Sequence, residues 1–280
     1  MSRPRACRPP GRAPRTGALL RWAAALGLAL AAGAAAARAP ACPPDRIDAR
    51  VRVGYVFDGD TFEIAGGRRV RLIGVNTPEL GRDGRPPEPF ALAARERLMA
   101  LVARAGRRLG LRYGVQREDR YGRLLAHAFL PDGTSVTATL IADGLAFAIA
   151  IPPNLWGLDC HLAAEHAARA ARRGVWSRPD FFGPLPTARL RPRGPVRGFR
   201  IVEGRVVRIG RSRRSLWLNL EGRTALRLAR EDLALFRAAG IEPGRLAGRR
   251  VRARGWLAPR HGELQMRVHH PMALEVLDGR

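Results

Sequence analysis

The sequence predicts a β-rich α+β protein: a five-stranded OB-like barrel with helices, followed by a second OB-like β-barrel. Three observations predict it. Short segments of alternating apolar and polar residues, bounded by Gly, Asp and Pro, recur from residue 51 to residue 277, as strands require. The order strands, helix, strands occurs twice, on either side of a Pro- and Arg-rich stretch at 179–198. A chain of 280 residues with 46% hydrophobic and 26% charged residues has the composition of a folded protein and the length of two small domains.

The first element precedes the fold. Arg3, Arg5, Arg8, Arg12, Arg15 and Arg21 lead into an apolar run at 22–37 that ends in small residues. This reads as a secretory signal peptide, 1–37, cleaved after Ala37. The alternative is an uncleaved anchor, but the run is shorter than the ~20 residues a spanning helix needs. The expected location is the periplasm or the exterior, with no stable membrane association after cleavage. Cleavage removes Cys7 and leaves Cys42 and Cys160 in an oxidising compartment. A disulfide between them is the economical reading; two unrelated cysteines is the other.

The first folded domain is expected over 45–178. Residues 51–75 read as a three-strand meander with turns at Asp58-Gly59-Asp60 and Gly66-Gly67. Residues 88–105 place Ala91, Ala94, Leu98, Leu101, Val102 and Ala105 on one helical stripe. Strands at 109–113 and 124–130 and helices near 136–143 and 158–173 follow. Pro179, Pro184, Pro186, Pro192 and Pro195 mark 179–198 as a semi-rigid linker. Beyond it, strands at 199–209, 215–220 and 224–228, a helical stretch at 231–239 and strands at 251–257, 264–268 and 272–277 make up the basic OB-like domain, 199–280. That second barrel rests on alternation alone.

Composition narrows function. All 50 cations are Arg, against 24 acids, a net charge of +26. Without Lys there is no Schiff-base lysine and no Walker-type phosphate loop, and no Gly-x-Ser-x-Gly elbow occurs. Strong basicity points to a polyanion, although Arg usage and high Ala also fit coding bias. The excess is concentrated late: 184–280 holds 22 Arg and 8 acids.

Three motifs carry chemistry: Asp58-Gly59-Asp60-Thr61, the run from Arg71 through Asn76-Thr77-Pro78-Glu79, and Asp119-Arg120-Tyr121-Gly122-Arg123. In this order and spacing, over about 50–178, they resemble the thermonuclease (staphylococcal nuclease-like) family. The residue types agree. Asp60, the Asn76 side-chain oxygen and the Thr77 carbonyl are hard donors suited to Ca²⁺ or Mg²⁺. Arg71 and Arg123 can hold a phosphodiester bidentately, and Glu79 can orient or deprotonate a water. The resemblance therefore implies metal binding at Asp60, Asn76 and Thr77 and catalysis by Arg71, Glu79 and Arg123. Asp58 is expected to order the turn and support the metal from behind. Two departures stand out. Asn76 is a neutral amide where the best-known form has a second metal-binding Asp, which weakens the expected site. Ile149 and Ile151 lie near where that form has tyrosines, leaving Tyr121 as the stacking candidate.

Singly, these residues have plainer readings: Asp-Gly-Asp as a hairpin turn, the arginines as surface cations, Glu79 as a turn residue. Cys160, His161 and Glu165 suggest zinc, but two or three ligands without a partner motif fall short of a site. His127 reads as structural, and His269-His270 as one packed and one exposed residue. In the second barrel, Arg205, Arg208, Arg211, Arg213, Arg214, Arg250, Arg252 and Arg254 read equally as phosphate anchors or as the surface of a barrel that docks on the first. The expectation is an exported, metal-dependent nuclease that cleaves DNA and RNA with little sequence specificity. The alternatives are a catalytically impaired nucleic-acid-binding protein that keeps the fold, and a structural periplasmic protein.

Overall fold

The computed structural model describes residues 42–81 and 84–278; the expected signal peptide lies outside the described residues. The meander is β1 (Ala49–Val56), β2 (Thr61–Ile64) and β3 (Arg69–Leu72), followed by a two-residue strand β4 (Val75–Asn76). Next come α1 (Ala91–Arg104), β5 (Arg108–Glu118), β6 (Leu124–Phe129), α2 (Val136–Ala142), β7 (Phe147–Ala148) and α3 (Leu158–Ala170). Strands in the order β1-β2-β3-β6-β5 close a barrel, with β3 and β6 its parallel pair. Alternation fills it: Val53, Phe62, Val70, Leu72, Leu109, Leu111 and Leu124 point into one core, which α1 covers with Leu98, Leu101 and Val102. Ser135 caps α2, its Oγ accepting the Ala138 amide at 3.2 Å. The short β4–β7 pair has no alternation to betray it in the sequence.

After α4 (Pro179–Phe182) and β8 (Leu185–Pro186), the second barrel contains β9 (Gly198–Arg211), β10 (Ser215–Leu220), β11 (Thr224–Ala229), α5 (Leu233–Ala238), β12 (Arg250–Arg260), β13 (Glu263–Arg267) and β14 (Leu274–Val276). The order β9-β10-β11-β13-β12 closes through β12–β9, with β11 and β13 parallel; β8 and β14 add to the flanks. Strand order and the position of the parallel pair repeat those of the first barrel. Both are OB-like.

The stretch 179–198, expected as a linker, is not a free spacer. Phe182 is buried, Leu185–Pro186 pair with Val202 and Glu203, and Thr187 is fully enclosed. Pro179 opens α4, Pro184 follows its end and Pro186 lies in β8, so composition reported punctuation rather than reach. Packing continues across the join. Phe147, Val175, Phe182, Phe199 and Ile201 form one apolar cluster drawn from both barrels, in which each buried aromatic contributes roughly 1.5–3 kcal/mol. The Arg254 guanidinium donates to the fully buried Glu165 at 2.6 Å, and Arg200 to Glu88 at 2.8 Å.

Cys42 and Cys160 form a disulfide, Cα atoms 5.8 Å apart across 118 residues of chain, joining the segment before β1 to α3. Beside it lie two buried histidines. His127 and His161 are 5.7 Å apart between ring centres, with Trp156 edge-on to His127 at 4.8 Å. His127 Nδ1 and His161 Nε2 find no hydrogen-bond partner among the described residues. Burial, then the charges of His161 and Arg112, lowers His127 to about 3, and burial lowers His161 to about 4.

Two outcomes follow. Opening a loop of this size costs about 2–4 kcal/mol, so Cys42→Ser should lower the thermal midpoint by roughly 5–15 °C. Dithiothreitol should have a similar effect on the parent and none on the variant. The histidines are neutral when folded and take up protons when unfolded, so their contribution is complete above pH 6.5 and lost as pH falls toward 4. Midpoints measured from pH 7.5 to 4.5 should decline less steeply for His127→Gln/His161→Gln than for the parent.

Candidate active site

The three motifs converge because of one close approach. An added Cβ on Gly59 would lie 2.7 Å from both Thr77 Cγ2 and Ala94 Cβ, so only glycine lets the β1–β2 turn pass between α1 and the chain after β4. Asp60, at the end of that turn, is thereby carried into the barrel wall, 6% exposed. Its Oδ2 accepts the Thr77 amide at 3.0 Å, the Thr77 hydroxyl at 3.1 Å and Arg71 Nη2 at 3.1 Å; Oδ1 accepts the Thr61 hydroxyl at 3.1 Å. Arg71, on β3, also donates to the Leu72 carbonyl at 2.8 Å and to Asn76 Oδ1 at 3.4 Å. Asn76 is positioned by β4 pairing with Phe147 and donates to the Thr77 carbonyl at 3.3 Å. Asp60, Arg71, Asn76 and Thr77 thus form a single hydrogen-bonded group.

Asp58 sits behind it, its Oδ1 accepting the Asp60 amide at 3.0 Å. Burial, then the negative charge of Asp60, pushes its carboxyl up to about 7, against the Asp60 amide and Arg71. Neighbouring carboxyls with an amide and a carbonyl oxygen make a set of hard donors, the chemistry a divalent alkaline-earth ion prefers. Among the described residues no group of three or more His, Cys, Asp or Glu gathers to hold a metal. A cation here would therefore rely on Asn76 Oδ1 and the Thr77 carbonyl as well as carboxylate.

Glu79 lies on the rim, exposed, its backbone locked to Glu88 by two bonds: the Glu79 amide donates to Glu88 Oε2 at 3.0 Å and the Glu88 amide to the Glu79 carbonyl at 2.9 Å. Arg123 stands on the β5–β6 turn, held by Asp119, whose Oδ2 accepts from its Nε and Nη2 at 2.7 Å. Hydrogen bonds from the Tyr121 and Arg123 amides and from the Arg123 side chain hold the Asp119 carboxyl below its ordinary range, against partial burial. Tyr121, 68% exposed, has Arg120 over its ring at 4.8 Å and Arg123 at 5.6 Å. A cleft of about 1000 Å³ receives Asp58, Asp60, Arg71, Asn76, Thr77, Glu79, Tyr121 and Arg123 together, with Arg68, Arg69 and Arg120 adding positive charge.

Other expectations fare differently. Cys160 is spent in the disulfide, and Glu165 accepts from Arg254 and from the Ala148 amide at 2.8 Å, so no zinc site forms with His161. Ile149 and Ile151 line the seam between the barrels beside Phe199 rather than the cleft. Arg250 and Arg252 are paired to Glu203, Arg252 also to Glu275, and Arg254 to Glu165, so these three brace the fold; Arg211, Arg213 and Arg214 are exposed at a turn. Three contributors carry no local signal in the sequence. Trp256 of the second barrel lines the cleft, and Glu88 and Arg200 steady Glu79. Asp119, quoted in the third motif without a role of its own, is the residue that holds Arg123.

The family described as staphylococcal nuclease homologue matches residues 69–178. Endonuclease YncB of Bacillus subtilis is 33% identical over 135 residues, 47% of this chain and 63% of that protein, so the chain spans slightly less than two thirds of its length. An Escherichia coli protein named as an endonuclease is 32% identical over 143 residues, 50% of this chain and 82% of that one. The thermonuclease of Staphylococcus intermedius is 34% identical over 129 residues, 45% and 75% respectively.

Removing the hub should be felt in stability. Asp60→Ala leaves the guanidinium of Arg71, 12% exposed, without its carboxylate, at a cost of about 2–3 kcal/mol. Urea midpoints should show this loss, and a much smaller one for Asp119→Ala, whose partner Arg123 is 29% exposed.

Proposed function

Because the chain belongs to the staphylococcal nuclease homologue family, we propose that it is a metal-dependent phosphodiesterase that hydrolyses DNA and RNA with little sequence specificity. The observation that carries the reading is the meeting of Arg71, Arg123, Glu79 and the Asp60–Asn76–Thr77 oxygens in one Arg-lined cleft.

Arg71 and Arg123 would receive the non-bridging oxygens of the scissile phosphate. Each is already oriented by a carboxylate, so little rearrangement is needed as charge grows at five-coordinate phosphorus. Glu79 would accept a hydrogen bond from the attacking water and take its proton as the P–O bond forms in line with the departing oxygen. It is exposed on the rim of the cleft, with its backbone held by Glu88. Asp60, Asn76 Oδ1 and the Thr77 carbonyl would hold Ca²⁺ or Mg²⁺, with Asp58 in support. Such an ion supplies charge neutralisation at the phosphate and lowers the pKa of water. The acceptors of this group are partly engaged by Arg71, which supports modest metal affinity.

The disulfide supports action in an oxidising compartment, the periplasm or the exterior, in keeping with the basic leader at 1–37. Asn76 in place of a charged ligand favours the second reading, a nucleic-acid-binding protein with impaired turnover.

Plasmid DNA and single-stranded RNA incubated with the purified chain, across a titration of Ca²⁺ and Mg²⁺, decide between them. The expected result is degradation that EDTA abolishes and that Glu79→Gln slows by about 10²–10⁴-fold while binding persists. Intact substrate at every metal concentration, with a salt-sensitive gel shift, would establish the binding protein instead.

A further inference from the structure

Trp256 is the exposed large aromatic of the second barrel among the described residues, at 38%. It stands on β12 opposite Phe199 of β9, with the rings edge to face at 5.3 Å. Phe199 is 5% exposed and lies 5.0 Å from Phe147 of the first barrel, so the indole is anchored to a buried seam. Yet its remaining surface lines the cleft that holds Asp60, Arg71, Tyr121 and Arg123.

A nucleotide presents an anion and an aromatic face. The arginines of the cleft answer the first. For the second there are two exposed rings, and they differ: Tyr121 carries Arg120 and Arg123 over its ring, whereas no cation lies over Trp256 among the described residues. An indole braced against a buried phenyl ring, with part of its surface lining a cationic cleft, is suited to stack on a base of any identity.

We propose that the second barrel completes the substrate cleft by supplying Trp256 as a stacking wall for an unpaired nucleobase. The proposal rests on the phosphodiesterase reading above. It gives the second barrel a part in binding that Arg250, Arg252 and Arg254, already paired, do not supply.

The test is fluorescence anisotropy of the full chain, in EDTA, with a labelled eight-nucleotide oligothymidylate and with an abasic oligomer of the same length. Trp256→Ala should weaken binding of the base-bearing strand by about 5- to 100-fold, and that of the abasic strand less than about 2-fold. Trp256→Phe should retain most of the affinity. Equal affinity of Trp256→Ala and parent for oligothymidylate would overturn the proposal while leaving the phosphodiesterase reading intact. So would equal losses on both strands in both variants, the mark of a merely structural residue. A parent that binds neither strand would overturn the stacking wall, while the phosphodiesterase reading stands or falls on the metal titration with plasmid DNA and RNA.

Discussion

Asp60 is the interaction on which the site depends. Its carboxylate gathers the end of one turn, a strand arginine and the backbone beyond a two-residue strand. Buried charge is expensive, and it persists here because every donor around it is supplied by the fold. The same arrangement raises the pKa of Asp58, through burial and then the negative charge of Asp60 beside it. Gly59 makes it possible, since any side chain there would push the turn off Thr77 and α1.

Much of this was legible in the sequence, for physical reasons. Alternation over 51–75 and 199–228 reports burial of one face, so both meanders were found, and the Ala91 to Ala105 stripe gave α1. The motif residues were readable because oxygen donors, arginines and one rim carboxylate are the chemistry itself. What escaped has no periodicity. β4 and β7 are two residues each and are defined by pairing across 73 residues of chain, Val75 to Ala148. The stretch at 179–198 shows prolines in the sequence and conceals packing that depends on partners far away, such as Thr187 against Gly204. Trp256 belongs to a barrel without a signature, and nothing local distinguishes an indole that faces a cleft from one that faces solvent.

The two barrels share a strand order but not a task. The first holds the donors and the arginines; the second spends much of its charge on Glu203, Glu275, Glu165 and Glu88. Through Arg200 it reaches Glu88, whose other carboxylate oxygen holds the Glu79 amide, so a residue of one barrel restrains the rim of the other's cleft by way of a single carboxylate. This divides the basicity of the protein into a structural share and a share that faces ligand, and net charge alone cannot distinguish them.

The bond between Cys42 and Cys160 ties the stability of the whole chain to the chemistry of its surroundings. In a reducing cytosol the segment before β1 would lose its covalent hold on α3, next to the buried histidines. The fold would then be least robust in a reducing compartment and most robust in an oxidising one, so its stability reports the redox state around it.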